Sequence, residues 1–141
     1  MNENRILFVD LDGTLIKEDL SDLAFINSLK TNPLKLIFYL IVFFFKGKSY
    51  LKEKISKNYI VPIEKLNFNN AALDYIRDVK NRHRVVYLIS GSHQLLVDQI
   101  DRHLRIFFES FGTNINFNMV GKNKVEFTMY LESSKRVLFN A

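Results

Sequence analysis

The segment Arg5–Asp10, RILFVD, is a short apolar run that ends in an acid and passes at once into Leu-Asp-Gly-Thr-Leu. A run of that length without polar alternation reads as a buried central strand, its C-terminal end opening onto a site. Val85–Ser90, VVYLIS, is a second run of the same kind. Helical stripes lie beside them: Leu73, Ile76 and Val79 within Asn70–Val79, and Leu96, Val97, Ile100 and Leu104 within Gln94–Leu104. Strands alternating with helices predict an α/β fold with a parallel sheet. Lys135–Ala141, KRVLFNA, reads as the start of a third strand.

With 141 residues the chain has room for one core and one modest insertion, which excludes a two-domain enzyme. Residues 15–69 read as an all-helical insertion into a core made of 1–14 and 70–141. Asn32-Pro33 supplies a side-chain cap and a proline at the first helical position, and Lys46-Gly47 supplies the stop. Between them Leu36–Phe45, LIFYLIVFFF, is apolar on every side. At about 1.5 Å per residue these ten residues cover about 15 Å, half the hydrocarbon thickness of about 30 Å, so the helix does not span a bilayer.

A chain that is 48 % hydrophobic and 13 % aromatic folds rather than staying disordered. It has no cysteine, which removes disulfides, thiol nucleophiles and cysteine-ligated metals and favours an intracellular compartment, and its three histidines are too dispersed for a histidine metal site. The N-terminus carries no export signal. The net charge of +5 is unevenly placed: residues 1–33 carry three Lys or Arg against six acids, whereas Lys46–Lys57 carries five lysines against Glu53 alone. The first balance suits a cation. The second, directly after the greasy helix, suits an anionic surface rather than nucleic acid. The helix Pro33–Lys46 with Lys46, Lys48, Lys52 and Lys54 is therefore expected either against a membrane surface or membrane-domain partner, or buried as an ordinary helix of the insertion.

Three elements carry chemistry. Asp10 and Asp12 are two apart on an extended segment, so both carboxylates project to one side of the strand's open end. Gly13 lets the backbone turn sharply and approach a ligand, and Thr14 adds a hydroxyl. An isolated Asp-x-Asp is most often a solvated turn; here it is attached to a buried strand and a glycine. Ser90-Gly91-Ser92 precedes a helix, where a hydroxyl and backbone N–H groups can hold an anion, although the same three residues also make an ordinary strand-to-helix turn. His93 reads as an exposed first-turn residue. Gly121-Lys122-Asn123-Lys124 opens a further helix, with lysine available to neutralise phosphate.

In the order DLDGTL, Ser90, Lys124, these residues resemble the haloacid dehalogenase (HAD) superfamily of aspartate-nucleophile phosphohydrolases, over essentially the whole chain. The resemblance implies a HAD-like Rossmannoid core with a helical cap at 15–69. It implies Asp10 as nucleophile, Asp12 as general acid/base, and Gly13, Thr14, Ser90, Gly91 and Lys124 as phosphate-binding residues. It also implies Mg²⁺ held by Asp10 and the carbonyl of Asp12. The segment NPLKLIFYLIVFFFKGKSYLKEKI is similar to the cap of HAD-like domains at the N-terminus of UbiA-type prenyltransferases, as FGTNINFNMVGKNK is to their segment before the lysine. That likeness implies a phosphorylated small molecule or prenyl-phosphate-related substrate, a membrane surface or prenyltransferase domain as partner, and a cytoplasmic location at the inner face of the membrane. The family's fourth motif, an acid-bearing turn after a strand expected to begin at Arg136, has no counterpart before Ala141, so weak Mg²⁺ binding and little activity are expected of this stretch alone.

Two other classes fit parts of the pattern. A catalytically degenerate module of the same fold, docking on a membrane or a prenyltransferase, accounts for the missing motif. A nucleotide-sugar glycosyltransferase fragment accounts for Asp10-x-Asp12 but not for Ser90 and Lys124.

Overall fold

The computed structural model describes residues 6–82 and 84–139. In chain order the elements are strand β1 (Leu7–Asp10), helices α1 (Leu20–Thr31), α2 (Pro33–Lys46), α3 (Lys48–Ser56) and α4 (Asn70–Asn81), strand β2 (Val86–His93), helix α5 (Gln94–Leu104), strand β3 (Glu109–Thr113) and helix α6 (Gly121–Phe139). The strands form one parallel sheet in the order β1-β2-β3. Leu7 pairs with Val86 and Asp10 with Ile89, which brings the C-terminal ends of β1 and β2 to a common edge. Of the first expected strand, Arg5 lies outside the described residues.

The central strand β2 is buried along almost its whole length, as its unbroken apolar sequence requires. Alternation assigns its two faces to different partners. Val86 and Leu88 pack with Leu73, Ile76 and Val79 of α4 and with Leu96, Val97 and Ile100 of α5 in one aliphatic core. Tyr87 looks the other way, onto Phe8, Phe108 and Phe111, with ring centroids 5.7, 5.6 and 5.9 Å away. Phe127 of α6 closes that aromatic layer, 4.8 Å from Phe111. Burial of both faces between helices is what holds a small parallel sheet together.

Two features of the sequence reading are corrected. The third strand is Glu109–Thr113, not the run after Lys135. Lys135–Phe139 continues α6, because nothing between Gly121 and Phe139 breaks a helix and a short apolar run such as VLF suits helix and strand equally. Asn140 and Ala141 lie outside the described residues. The start of α2 is also different: Asn32 makes no side-chain cap hydrogen bond there, and Pro33 at the first helical position carries the start. Gly47, at φ +83°, ends α2 and turns the chain directly into α3.

The helices α1–α3 leave and rejoin the core at one point. The Asn69 N–H donates to the Leu15 carbonyl at 2.8 Å and the Lys17 N–H to the Asn67 carbonyl at 3.0 Å. Ile16 and Phe68 form an antiparallel bridge between these bonds. The helical insertion thereby stands over the edge where β1 ends. Asp19 caps α1 by accepting from the Ser21 and Asp22 N–H groups at 2.8 and 3.2 Å.

Candidate active site

Asp10 is the last residue of β1. Leu11, fully buried, pins the next position into the core. Its carbonyl accepts the N–H groups of Thr14, Leu15 and Ile16 at 3.3, 3.0 and 3.1 Å, a tight turn that Gly13 completes at φ +74°. With Leu11 turned inward, Asp10 and Asp12 both reach the same pocket, about 420 Å³, which Asp19, Lys52, Gly91 and Lys124 also line.

The two acids have opposite surroundings. Asp10 is 45 % exposed and forms an ion pair with Lys124, Oδ1 to Nζ 2.7 Å, across 114 residues of sequence. Lys124 reaches it from the first turn of α6, which the left-handed Gly121 (φ +50°) starts. Asp12 is enclosed. Its Oδ1 accepts the Leu20 N–H at the start of α1 at 2.9 Å, and its Oδ2 accepts the hydroxyls of Ser90 and Ser92 at 2.5 and 3.0 Å. Burial pushes the Asp12 carboxyl above its ordinary value, with help from nearby Asp19 and against the pull of the three hydrogen bonds.

The structure brings together Asp10, Asp12, Ser90, Gly91 and Lys124. Gly13 and Thr14 face a different shallow pocket, shared with Lys17, Asn67 and Asn69. The Ser90 hydroxyl is directed at Asp12 rather than at open space, and the Ser92 N–H donates to Ser90 Oγ at 3.0 Å. His93 is buried rather than exposed. Its Nδ1 accepts the Leu95 N–H at 3.2 Å as the cap of α5, and burial lowers its pKa.

Gly91 leaves room for the loop that leads to Lys124: a Cβ there would lie 2.8 Å from Val120 Cγ1 and push that side chain aside.

Sequence reasoning missed Lys52. It leaves α3, crosses into the site, and its ammonium donates to the Gly91 carbonyl at 2.7 Å and to Asn118 Oδ1 at 3.1 Å. Thr113 Oγ1 donates to the Gly91 carbonyl at 2.8 Å, lies 3.2 Å from Asn118 Oδ1, and accepts the Met119 N–H at 2.9 Å. Burial lowers the Lys52 pKa, against the attraction of Asp19. Lys52 shares a helical face with Ile55 and Ser56, both buried, and that spacing was the available signal. Lys54 instead stays within the insertion, its ammonium 5.4 Å from the Tyr50 ring, with the exposed Lys46 ammonium 5.3 Å from the same ring.

A magnesium ion needs several converging oxygens in near-octahedral array. Among the described residues no three His, Cys, Asp or Glu converge in that way. Asp10 Oδ1 accepts from Lys124 and both Asp12 oxygens accept from donors, which leaves Asp10 Oδ2 as the oxygen of this pair with no hydrogen-bond partner among the described residues. The described residues alone do not make a Mg²⁺ cage.

The parallel sheet, the helical insertion after β1 and the acids at the strand end define the HAD-like α/β fold. A HAD family hydrolase from Salmonella enterica serovar Typhi superposes on 95 % of this chain and 52 % of its own, with a TM-score of 0.61 and 14 % identity. A substrate-bound phosphoserine phosphatase matches 77 % of the chain and 55 % of its own at a TM-score of 0.48 and 18 % identity. In sequence, the uncharacterized protein y4nM of Sinorhizobium fredii (strain NBRC 101917 / NGR234) is 32 % identical over 120 residues, 85 % of this chain. The chain spans 23 % of that relative's length. No family model matches the chain.

Proposed function

We propose that this unit hydrolyses a phosphomonoester through an aspartyl-phosphate on Asp10. The observation that carries the reading is the division of labour between the two acids: Asp10 accessible beside a lysine, Asp12 buried with its carboxyl raised toward the protonated form. A carboxyl whose pKa burial raises holds its proton more readily than a solvated one, which is the property a general acid needs.

In the first step an Asp10 oxygen attacks phosphorus, the phosphorus–oxygen ester bond breaks, and the departing oxygen takes the Asp12 proton. In the second, the Asp12 carboxylate takes a proton from water while the water oxygen attacks phosphorus. The bond to Asp10 breaks, inorganic phosphate leaves, and both acids return to their starting states. Lys124, released from Asp10 as phosphate enters, neutralises the non-transferring oxygens, and Lys52 is the second cation in reach of the pocket. Ser90 and Ser92 hold the Asp12 carboxylate once its proton has gone.

Residues 15–69 form the cap in this reading, and the substrate is a phosphorylated small molecule, prenyl-phosphate-related compounds included. Mg²⁺ is the metal the resemblance implies, and its remaining ligands have to come from outside the described residues. A membrane prenyltransferase domain is the partner the resemblance implies, at the cytoplasmic face. No helix among the described residues is long and apolar enough to cross a membrane. A non-catalytic docking module of the same fold is the competing reading, favoured by the incomplete metal set.

Phosphate release from a chromogenic phosphomonoester in the presence of Mg²⁺ separates the two. Activity should vanish in Asp10→Asn and fall by about 10² to 10⁴-fold in Asp12→Asn. Turnover that survives Asp10→Asn contradicts the assignment of the nucleophile; turnover that Asp10→Asn abolishes contradicts the docking module.

A further inference from the structure

Helix α2 has its faces reversed relative to a surface helix of a globular protein. At 100° per residue, Leu36, Tyr39, Leu40 and Phe43 share the side turned to the insertion, and Leu36 is 2 % exposed. The opposite arc, about 120° wide, holds Leu34, Ile37, Phe38, Ile41, Phe44 and Phe45, with no polar side chain among them. All six are exposed, Leu34, Phe44 and Phe45 by 82, 83 and 86 %. A contiguous apolar face of this kind on a folded unit marks a surface that is covered in use.

The charge around the face identifies what covers it. From Leu23 to Lys52 there is no acid, while lysines stand at 30, 35, 46, 48 and 52. Lys52 turns into the site, and Lys30, Lys35, Lys46 and Lys48 remain exposed at the two ends of α2. A second copy of the chain seated face to face would set these lysines against themselves with no acid in the segment to neutralise them. A helix that is apolar on one face and edged by lysine matches an anionic lipid surface, with the rings at the level of the acyl chains and the ammonium groups among the headgroups.

We propose that α2 lies flat in the surface of an anionic bilayer, its Leu34–Phe45 face inserted and Lys35, Lys46 and Lys48 on the headgroups. This is independent of the reaction at Asp10. The insertion that carries the inserted face also lends Asp19 and Lys52 to the pocket at Asp10, so a substrate with a lipid tail meets both.

The test is co-sedimentation of the 141-residue chain with vesicles of phosphatidylcholine alone and of phosphatidylcholine with phosphatidylserine, over a salt series. Binding is expected to the anionic vesicles and to weaken as salt rises. Lys46→Glu and Lys48→Glu should each lower the partition coefficient at least about fivefold. Phe44→Ser with Phe45→Ser should abolish binding while circular dichroism and melting stay unchanged, since these rings touch little of the fold. Equal binding to neutral and anionic vesicles overturns the role of the lysines. No binding to either, or a concentration-dependent dimer in sedimentation that the Phe44→Ser, Phe45→Ser variant dissolves, overturns the lipid assignment.

Discussion

The edge of the sheet where β1 ends and the outer face of α2 depart from the usual distribution of side chains in opposite senses. At the sheet edge polar groups are inside: Ser90 and Ser92 are buried and Asp12 is enclosed, each with a named partner. On α2 apolar groups are outside, and the described residues supply them no partner surface. The first arrangement is costly unless every donor and acceptor is matched, and the matching is what orients Asp12. The second has no internal compensation at all. One region shows what the fold does for its own chemistry, and the other shows where it depends on something else.

Within α2 itself the contrast can be broken by two substitutions. Leu36→Ala, on the packed side, should cost about 2–5 kcal/mol of unfolding free energy. Phe45→Ser, which removes a larger side chain, should change stability by no more than about 0.5 kcal/mol. Urea denaturation of both variants checks this, and comparable losses would mean that the outer face is packed in solution.

A second substitution sharpens the account of the sheet edge. A Cβ on Gly112 would stand 2.7 Å from the Ser92 carbonyl and 2.9 Å from the Gln94 backbone, where no side chain can yield. Gly112→Ala should therefore destabilise by about 1–3 kcal/mol and loosen the Ser92 contact to Asp12. A melt identical to the parent's would show that β2 and β3 are not held this closely.

The smallest effect is one of pH. Burial raises the folded pKa of Asp12 above its ordinary value. A raised acid binds protons more readily in the folded state, so its contribution to stability is fully present below the unfolded pKa and is lost as pH rises through the folded one. Asp12→Asn, which keeps an acceptor for the Leu20 N–H and cannot ionise, should melt higher than the parent near neutral pH. The gain should shrink toward acid. A variant less stable than the parent at neutral pH would mean that the hydrogen bonds to the carboxylate outweigh its burial.

Much of this arrangement is visible in the chain before folding, and the reasons are local. VVYLIS announces a buried central strand because no polar alternation interrupts it, and Pro33 and Gly47 bound α2 by their backbone preferences alone. RILFVD, expected to be buried and central as well, is a strand at the edge of the described sheet with Val9 alone buried, because an apolar run does not tell a central position from an edge one. Gln94–Leu104 is bounded by its apolar stripe. Asp10 and Asp12 share a pocket because spacing along an extended segment is a local property. What escapes is contingent on packing. Glu109–Thr113 has two residues of high strand propensity and a glycine, and is a strand because β2 offers it an edge and Gly112 fits beneath Ser92. Lys52 was one lysine among five until the crossing of α3 over the sheet edge aimed it at Gly91. Ser90 was legible as a site residue, but not its bond to Asp12, which spans 78 residues.

The most direct test of the division between the two acids is to trap the intermediate. The chain is incubated with a phosphomonoester whose leaving group needs no proton, in the presence of Mg²⁺, quenched in acid and mapped by peptide mass spectrometry. The account predicts a phosphoryl group on Asp10, absent in Asp10→Asn, and accumulating in Asp12→Asn because no base remains to activate the water of the second step. A phosphoryl group on another residue, or one that turns over as fast in Asp12→Asn as in the parent, would contradict it.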